Sequence, residues 1–320
     1  MKFSIITPIY NTSEYLDECI KSVVNQDYIE FEYILIDDGS DDGSEVICDE
    51  WAAKDNRIVV EHQIHSGAAV ARNKGLELAS GDYILFIDSD DYWLESNVLS
   101  LINARLEQTA PDVLCFNYCK EYPNNALSKA YYSAQTMPVD SDSDYIFDFL
   151  LKNHIWGASS CNKAVKRELI DSNFIRYTPN SVAEDIEWCF NLMVHVDRID
   201  YINDVILSYR QHEGSSSKTI TVEKIQSVCD ILCNLKNELS SVDGYRNAVL
   251  TDYLGYLTAS LLADVSKLKN VELSKEFVSG LKELMSSFND VYNKKAKLVF
   301  MLERLIGLKG VIFLLKIFYK

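Results

Sequence analysis

The chain has 320 residues, of which 48% are hydrophobic and 25% charged, the balance of an ordinary folded chain rather than a disordered one. Its formal net charge of −17 excludes a general nucleic-acid binder, because phosphate backbones are held by clustered lysine and arginine. No stretch reaches the roughly 18 apolar residues of a membrane span, and the start, from Met1 to Pro8, is too short an apolar run for a signal peptide.

The length predicts two folding units, or one large unit with an appendage. The first hundred residues alternate strand and helix signals. Residues 3–7 form a β-rich run that Pro8 ends. Ser13 is placed to cap a helix over 14–25, with Leu16, Cys19, Ile20, Val23 and Val24 at helical spacing. Residues 31–36 are apolar, too short for a helix, and end in the turn cluster Asp37-Asp38-Gly39-Ser40. A second helix is predicted over 44–54, a third strand over 58–61, a third helix over 67–79 and a fourth strand over 83–87. That strand runs into Asp88-Ser89-Asp90-Asp91. Further on, 113–118 and 201–209 read as strands, and 143–152 and 186–194 as helices. Beyond 217 the pattern is helical, over 221–240, 245–268 and 274–289.

Short apolar strands alternating with helices imply an α/β fold with a mostly parallel sheet covered on both faces. Ligands of such sheets bind beyond the carboxyl ends of the strands. The unusual polar residues stand at those ends: 7–11, 37–40 and 88–91. In Asp88-Ser89-Asp90, two carboxylates on one turn repel unless a cation joins them. Hard oxygen ligands of this kind suit Mn²⁺ or Mg²⁺ shared with phosphate; a solvated acidic turn is the plain alternative. The chain has no GxGxxG, no GxxxxGK[ST] and no GxSxG, so a dinucleotide-binding dehydrogenase, a P-loop NTPase and an α/β-hydrolase elbow are unsupported. Eight cysteines lie scattered, and the pairs Cys115/Cys119 and Cys229/Cys233 lack the tighter spacing and histidine partners of a zinc site. They read as reduced, buried thiols of a cytosolic protein.

Four motifs in order are Thr7-Pro8-Ile9-Tyr10-Asn11, Ile36-Asp37-Asp38-Gly39-Ser40, Gly67-Ala68-Ala69-Val70-Ala71-Arg72-Asn73-Lys74-Gly75 and Gly81-Asp82-Tyr83-Ile84-Leu85-Phe86-Ile87-Asp88-Ser89-Asp90-Asp91. Over roughly residues 2–215 the chain resembles the family-two glycosyltransferases with the GT-A fold. The resemblance implies an inverting, metal-dependent transfer of a sugar from a nucleoside diphosphate sugar, a UDP-sugar, to a glycan hydroxyl. It implies donor binding by Pro8, Tyr10, Asn11, Asp38, Gly67, Arg72, Asp88, Ser89 and Arg210. Tyr10 would stack on the base, Asp38 would accept from uracil and Arg210 would neutralise the leaving phosphates. Asp90 matches the metal ligand for Mn²⁺ or Mg²⁺. His212 stands either as a further ligand or as a hydrogen-bonded loop histidine. In Ala183-Glu184-Asp185 the second acid matches the catalytic base, and Glu184 would orient it or contact the acceptor. Trp156, Asn162 and Lys163 lie where the family lines its acceptor pocket.

Residues 294–320 carry seven basic residues and one acid on an otherwise acidic chain. They read as an amphipathic segment drawn to an anionic membrane surface, or as a C-terminal helix docked on the body or on another subunit. The expected domains are 1–217, 218–293 and 294–320. A peripheral enzyme on the inner face of the cell membrane points to a lipid-linked glycan acceptor, as in bacterial capsule or exopolysaccharide assembly; an oligomer is possible. Two other classes share parts of this pattern. One is a non-catalytic sugar-nucleotide-binding subunit, against which Asp38, Asp88, Asp90 and Asp185 argue. The other is a nucleotidyltransferase, which needs a Gly- and basic-rich loop that residues 7–13 lack.

Overall fold

The computed structural model describes the chain except residues 124–125, 129–142, 153–154, 182, 213–219, 243, 269–273, 289–290, 292 and 319–320. It divides into two compact units, one of Met1–Asn180 with Glu184–His212 and one of Ser181–Ala183 with Glu213–Lys320. The expected boundary at 217 lies outside the described residues.

Among the described residues the first unit has eight strands: β1 (Phe3–Ile9), β2 (Phe31–Asp37), β3 (Ile58–His62), β4 (Tyr83–Phe86), β5 (Tyr92–Trp93), β6 (Val113–Glu121), β7 (Lys163–Lys166) and β8 (Ile199–Arg210). They form one sheet in the order β3-β2-β1-β4-β7-β6-β8-β5. The half from β3 to β4 is parallel, with Ile5 opposite Tyr33 on β2 and Leu85 on β4. β7 runs antiparallel to both β4 and β6, and β5 runs antiparallel to β8. The central strands are buried on both faces, so they carry continuous apolar runs rather than alternation. The sequence reading omitted β7, because its Lys-Ala-Val-Lys reads as a surface turn.

The helices of this unit are α1 (Ser13–Val24), α2 (Ser44–Ala52), α3 (Ala68–Leu78), α4 (Val98–Thr109), α5 (Ser143–Lys152), α6 (Arg167–Ser172) and α7 (Glu184–His195). α1 begins one residue earlier than expected. Ser13 is its first residue rather than its cap, and the Ser13 N–H donates to Asp42 Oδ2 at 2.8 Å. A side chain from the loop after β2 therefore satisfies the helix start after β1. α3 packs on β1 at Gly75, where a Cβ would lie 2.3 Å from Ile6 Cγ2.

The second unit holds α8 (Val222–Glu238), α9 (Gly244–Lys267), α10 (Lys275–Ser287) and α11 (Lys294–Phe318). Thr221 and Ser274 cap α8 and α10 through their side chains, and Asn293 Oδ1 accepts from Ala296 N at the start of α11. Leu250, Leu254 and Leu262 of α9 are fully buried, as are Leu232 of α8 and Leu281 and Leu284 of α10. α11 packs along α9 and buries Ala296, Phe300, Leu308 and Val311.

Candidate active site

Parallel strands β1, β2 and β4 end at the same edge, so their following loops meet there. Thr12 is the joint. Its N–H donates to Ser44 Oγ at 3.1 Å and its hydroxyl donates to Ser89 Oγ at 2.9 Å, tying the loop after β1 to the other two. Asn11, at φ 51°, takes Ser40 Oγ as acceptor for its N–H and accepts from Asp41 N through its side chain. Of the donor-site candidates, Asn11 and Ser89 thus hold loop to loop, and Pro8 lies within β1 opposite Ile36, the strand running on to Ile9 instead of ending at Pro8 as expected.

Asp38 is buried, and its carboxylate is heavily engaged. It accepts from Ser66 N at 2.8 Å, Gly67 N at 2.8 Å and Gln63 Nε2 at 2.6 Å, and His65 Nδ1 lies 2.8 Å from Oδ2. It shapes the loop ahead of α3, in which Gly67 adopts φ 91°. The ring of Tyr10, 47% exposed, stacks on His65 with centroids 3.9 Å apart.

Arg72 joins the donor loops to α7. Its guanidinium is buried, donates to Asp88 Oδ1 at 2.9 Å and to Glu184 Oε1 at 2.9 Å, and lies over the Tyr177 ring. The adjacent Asp185 accepts from Ser160 Oγ at 3.1 Å. Burial pushes its carboxyl up to about 6; Glu184 and Asp88 add to the rise, and Arg72 and the Ser160 bond oppose it. A carboxylate tuned close to neutral pH is suited to general-base chemistry. Thr12 thus ties the loop after β1 to Ser89, the neighbour of Asp88, and Arg72 joins Asp88 to the start of α7.

His212 Nε2 lies 2.8 Å from Asp90 Oδ2, and its ring packs on Tyr15. Burial, then repulsion from Asp88, raises the Asp90 carboxyl above its ordinary value. Asp91 is buried, raised far more by the same causes, and accepts from Arg210 N at 2.9 Å. Asp88 is paired with Arg72 and Asp90 with His212. Among the described residues no group of three or more His, Cys, Asp or Glu could hold a metal by itself. Asp90 and His212 are the two side chains that could share a divalent cation whose other positions are open to phosphate and water.

Arg210 sits between Tyr15 and Tyr92 and pairs with Glu18 at 2.6 Å and Glu121 at 3.3 Å. Its Nη1 is buried and has no hydrogen-bond partner among the described residues. The neighbouring residues 213–217 of this expected closing segment lie outside the described residues.

The three acceptor-pocket candidates lie in the core. Trp156 is 1% exposed, packed against Phe147 and under the Lys163 ammonium. Asn162 and Lys163 are equally buried. Asn162 Nδ2 donates to Ile155 O, and Lys163 Nζ donates to Ser159 O at 2.6 Å and Asn162 Oδ1 at 2.7 Å. A buried ammonium keeps its charge only with such partners, so these residues brace the turn into β7. Two residues passed over in the sequence, Ser160 and Tyr177, instead lie against the acids. Nothing in their local pattern marks them, since a serine in a polar loop has no periodicity to read.

Residues 4–174 match the glycosyl transferase family 2. The glycosyltransferase GlyG of Streptococcus pneumoniae is 31% identical over 230 residues, covering 68% of this chain and 73% of GlyG. The minor teichoic acid biosynthesis protein GgaB of Bacillus subtilis is 26% identical over 306 residues, covering 90% of this chain but only 32% of GgaB. Among solved structures, S. aureus TarS in complex with UDP-GlcNAc aligns with a TM-score of 0.73 at 19% identity, covering 100% of this chain and 91% of that one. The fold is that of the GT-A sugar-nucleotide transferases. The chain belongs to glycosyl transferase family 2.

Proposed function

We propose that the protein transfers a sugar from a UDP-sugar, with inversion, to a hydroxyl of a lipid-linked glycan in the synthesis of a bacterial cell-surface polymer. The observation that carries this reading is the bridge from Asp88 through Arg72 to Glu184, which brings the donor loops and the Asp185 carboxylate to one place. TarS, titled with UDP-GlcNAc, supports the uridine donor, and GgaB, named for teichoic acid biosynthesis, supports the polymer.

In this reading the nucleobase lies beside Tyr10. It reaches Asp38 by displacing His65, whose side chain is 52% exposed while Asp38 is buried. Asp88 and Arg72 hold the sugar end of the donor. Asp90 and His212 would hold Mn²⁺ or Mg²⁺, which supplies positive charge for the diphosphate as it leaves. Arg210 Nη1 adds a second donor toward those oxygens. Asp185 takes the proton of the acceptor hydroxyl; that oxygen keeps the O–H electron pair and bonds to the anomeric carbon. The bond from that carbon to the phosphate oxygen breaks on the opposite face, its pair leaving with the diphosphate. Glu184 stays paired with Arg72 and orients the base.

The test uses Asp185→Asn. Removing a general base lowers turnover about 10²- to 10⁴-fold, while the thermal shift given by the best nucleotide sugar with Mn²⁺ stays near that of wild type. Normal transfer by the variant would exclude Asp185 as the base, and no stabilisation by any nucleotide sugar would exclude the donor class.

α11 supports a site of action at the inner face of the membrane. Opposite its buried side it exposes Leu298, Met301, Leu305, Phe313 and Ile317, with Leu305 71% exposed. Lys294, Lys297, Lys309 and Lys316 are exposed beside them. Apolar side chains flanked by lysines match the acyl and anionic headgroup layers of a bilayer surface. No helix among the described residues is long and apolar enough to cross a membrane.

A further inference from the structure

We infer that Ser160 is the positioning residue of the base: its hydroxyl fixes the Asp185 carboxylate in the orientation that proton removal needs. The inference rests on the reading of Asp185 as the base.

Ser160 is fully buried, and its Oγ donates to Asp185 Oδ1 at 3.1 Å. Ser160 lies just ahead of β7 and Asp185 in the first turn of α7, so one hydrogen bond ties the sheet to the helix. The bond engages Oδ1, which assigns Oδ2 to the proton of the acceptor. A hydroxyl donating to a carboxylate favours its ionised form, the form a base must hold before it acts.

Tyr177 lies on the other side of this group. Its hydroxyl is buried, has no hydrogen-bond partner among the described residues, and stands near enough to Ser160 and Asp185 to sense both. Its ring is immobilised on three sides. It stacks on Trp188 of α7 with centroids 5.2 Å apart and planes within 3°. Arg72 lies over it at 5.3 Å. Asn73 clamps its backbone, accepting from Tyr177 N at 2.9 Å and donating to Tyr177 O at 2.8 Å. Tyr177, Ser160 and Asp185 thus come together from three separate segments, with the Tyr177 ring and backbone fixed by these contacts. The other titratable groups acting on Asp185 are Arg72 of α3, Glu184 beside it and Asp88 after β4; the buried thiols of Cys161 and Cys189 also sense its charge.

The experiment measures hydrolysis of the UDP-sugar that gives the largest thermal shift, across pH, so that no acceptor need be known. In Ser160→Ala, kcat at pH 7 falls about ten- to a hundredfold, the scale of one hydrogen bond to a charged group. KM for the donor stays unchanged, and the acid limb of kcat moves to higher pH. Ser160→Thr restores both. Tyr177→Phe keeps the ring packing and moves the limb in the same direction by less. A fall in kcat with the limb unmoved would mark Ser160 as merely structural and overturn the inference, as would an unchanged kcat. If Ser160→Ala does not fold, Ser160→Cys, of similar size but a weaker donor, takes its place, and an unmoved limb there overturns the inference. Asp185→Asn, assayed alongside, fails separately: normal turnover there removes the base itself, whatever Ser160 does.

Discussion

Asp185 carries opposed demands. Burial raises its carboxyl to about 6, above the ordinary value of 3.8, and Arg72 only partly offsets this. The base works only when ionised, so kcat should fall as pH drops below about 6, with the slope of a single proton; a flat profile between pH 5 and 7 would contradict the assignment. The same shift has a stability consequence of known sign. A group whose folded value lies above its unfolded one favours folding at low pH, and that contribution is lost as pH rises through the folded value. Ionised Asp185 therefore costs stability at pH 7.5, and Asp185→Asn should melt at or above the wild-type temperature there. The difference should narrow as pH falls toward 4. A substitution that abolishes turnover without loss of stability marks a site strained for function. None of this is legible locally: Glu184-Asp185 reads as acid at a helix start, where the dipole alone would explain it.

At the scale of elements, α3 positions Arg72, and what positions α3 is its close approach to β1. Gly75 sits so near Ile6 that a methyl group there would overlap its side chain. Gly75→Ala should destabilise the protein by about 1–3 kcal/mol, the usual cost of overpacking. It should also lower turnover beyond what that loss explains, because displacing α3 shifts Arg72 off Asp88 and Glu184. Denaturant unfolding and kcat on the folded fraction separate the two effects. An unchanged midpoint would show that α3 has slack the structure does not display. The strand and helix pattern of residues 3–86 was readable because burial on both faces makes short continuous apolar runs. β5, α4, β7 and α6 were not read, since they are short or carry charges that only their packing explains. Lys163 is the clearest case: its burial is explained only by the three oxygens that its ammonium meets.

At the scale of the whole molecule, charge is segregated. The net charge is −17, yet residues 294–320 hold seven basic residues and one acid. α11 turns at Gly307, whose φ of 70° and ψ of 166° interrupt the helix. Vesicle sedimentation tests the proposed docking. The protein should pellet with vesicles rich in phosphatidylglycerol and stay in solution with phosphatidylcholine alone, and binding should weaken as salt rises. Replacing Lys294, Lys297, Lys309 and Lys316 with Glu should abolish pelleting while leaving the donor thermal shift intact. Equal partitioning of wild type and variant, or a stable dimer closed through this face, would refute lipid as the occupant.

The sequence by itself determined the α/β alternation, the acidic loops at strand ends, the four ordered motifs and the basic segment. These are local: periodicity follows from which faces are buried, and turn chemistry follows from a few neighbouring residues. Tertiary structure alone decided that Arg72 spans Asp88 and Glu184, that Asp38 is claimed by the loop it shapes, and that Trp156, Asn162 and Lys163 are core. It also brought Ser160 and Tyr177 to the base. The contacts of Arg72, Asp38 and Ser160 join side chains far apart in the chain, and burial sets both the charge a carboxylate can carry and the partners it must find.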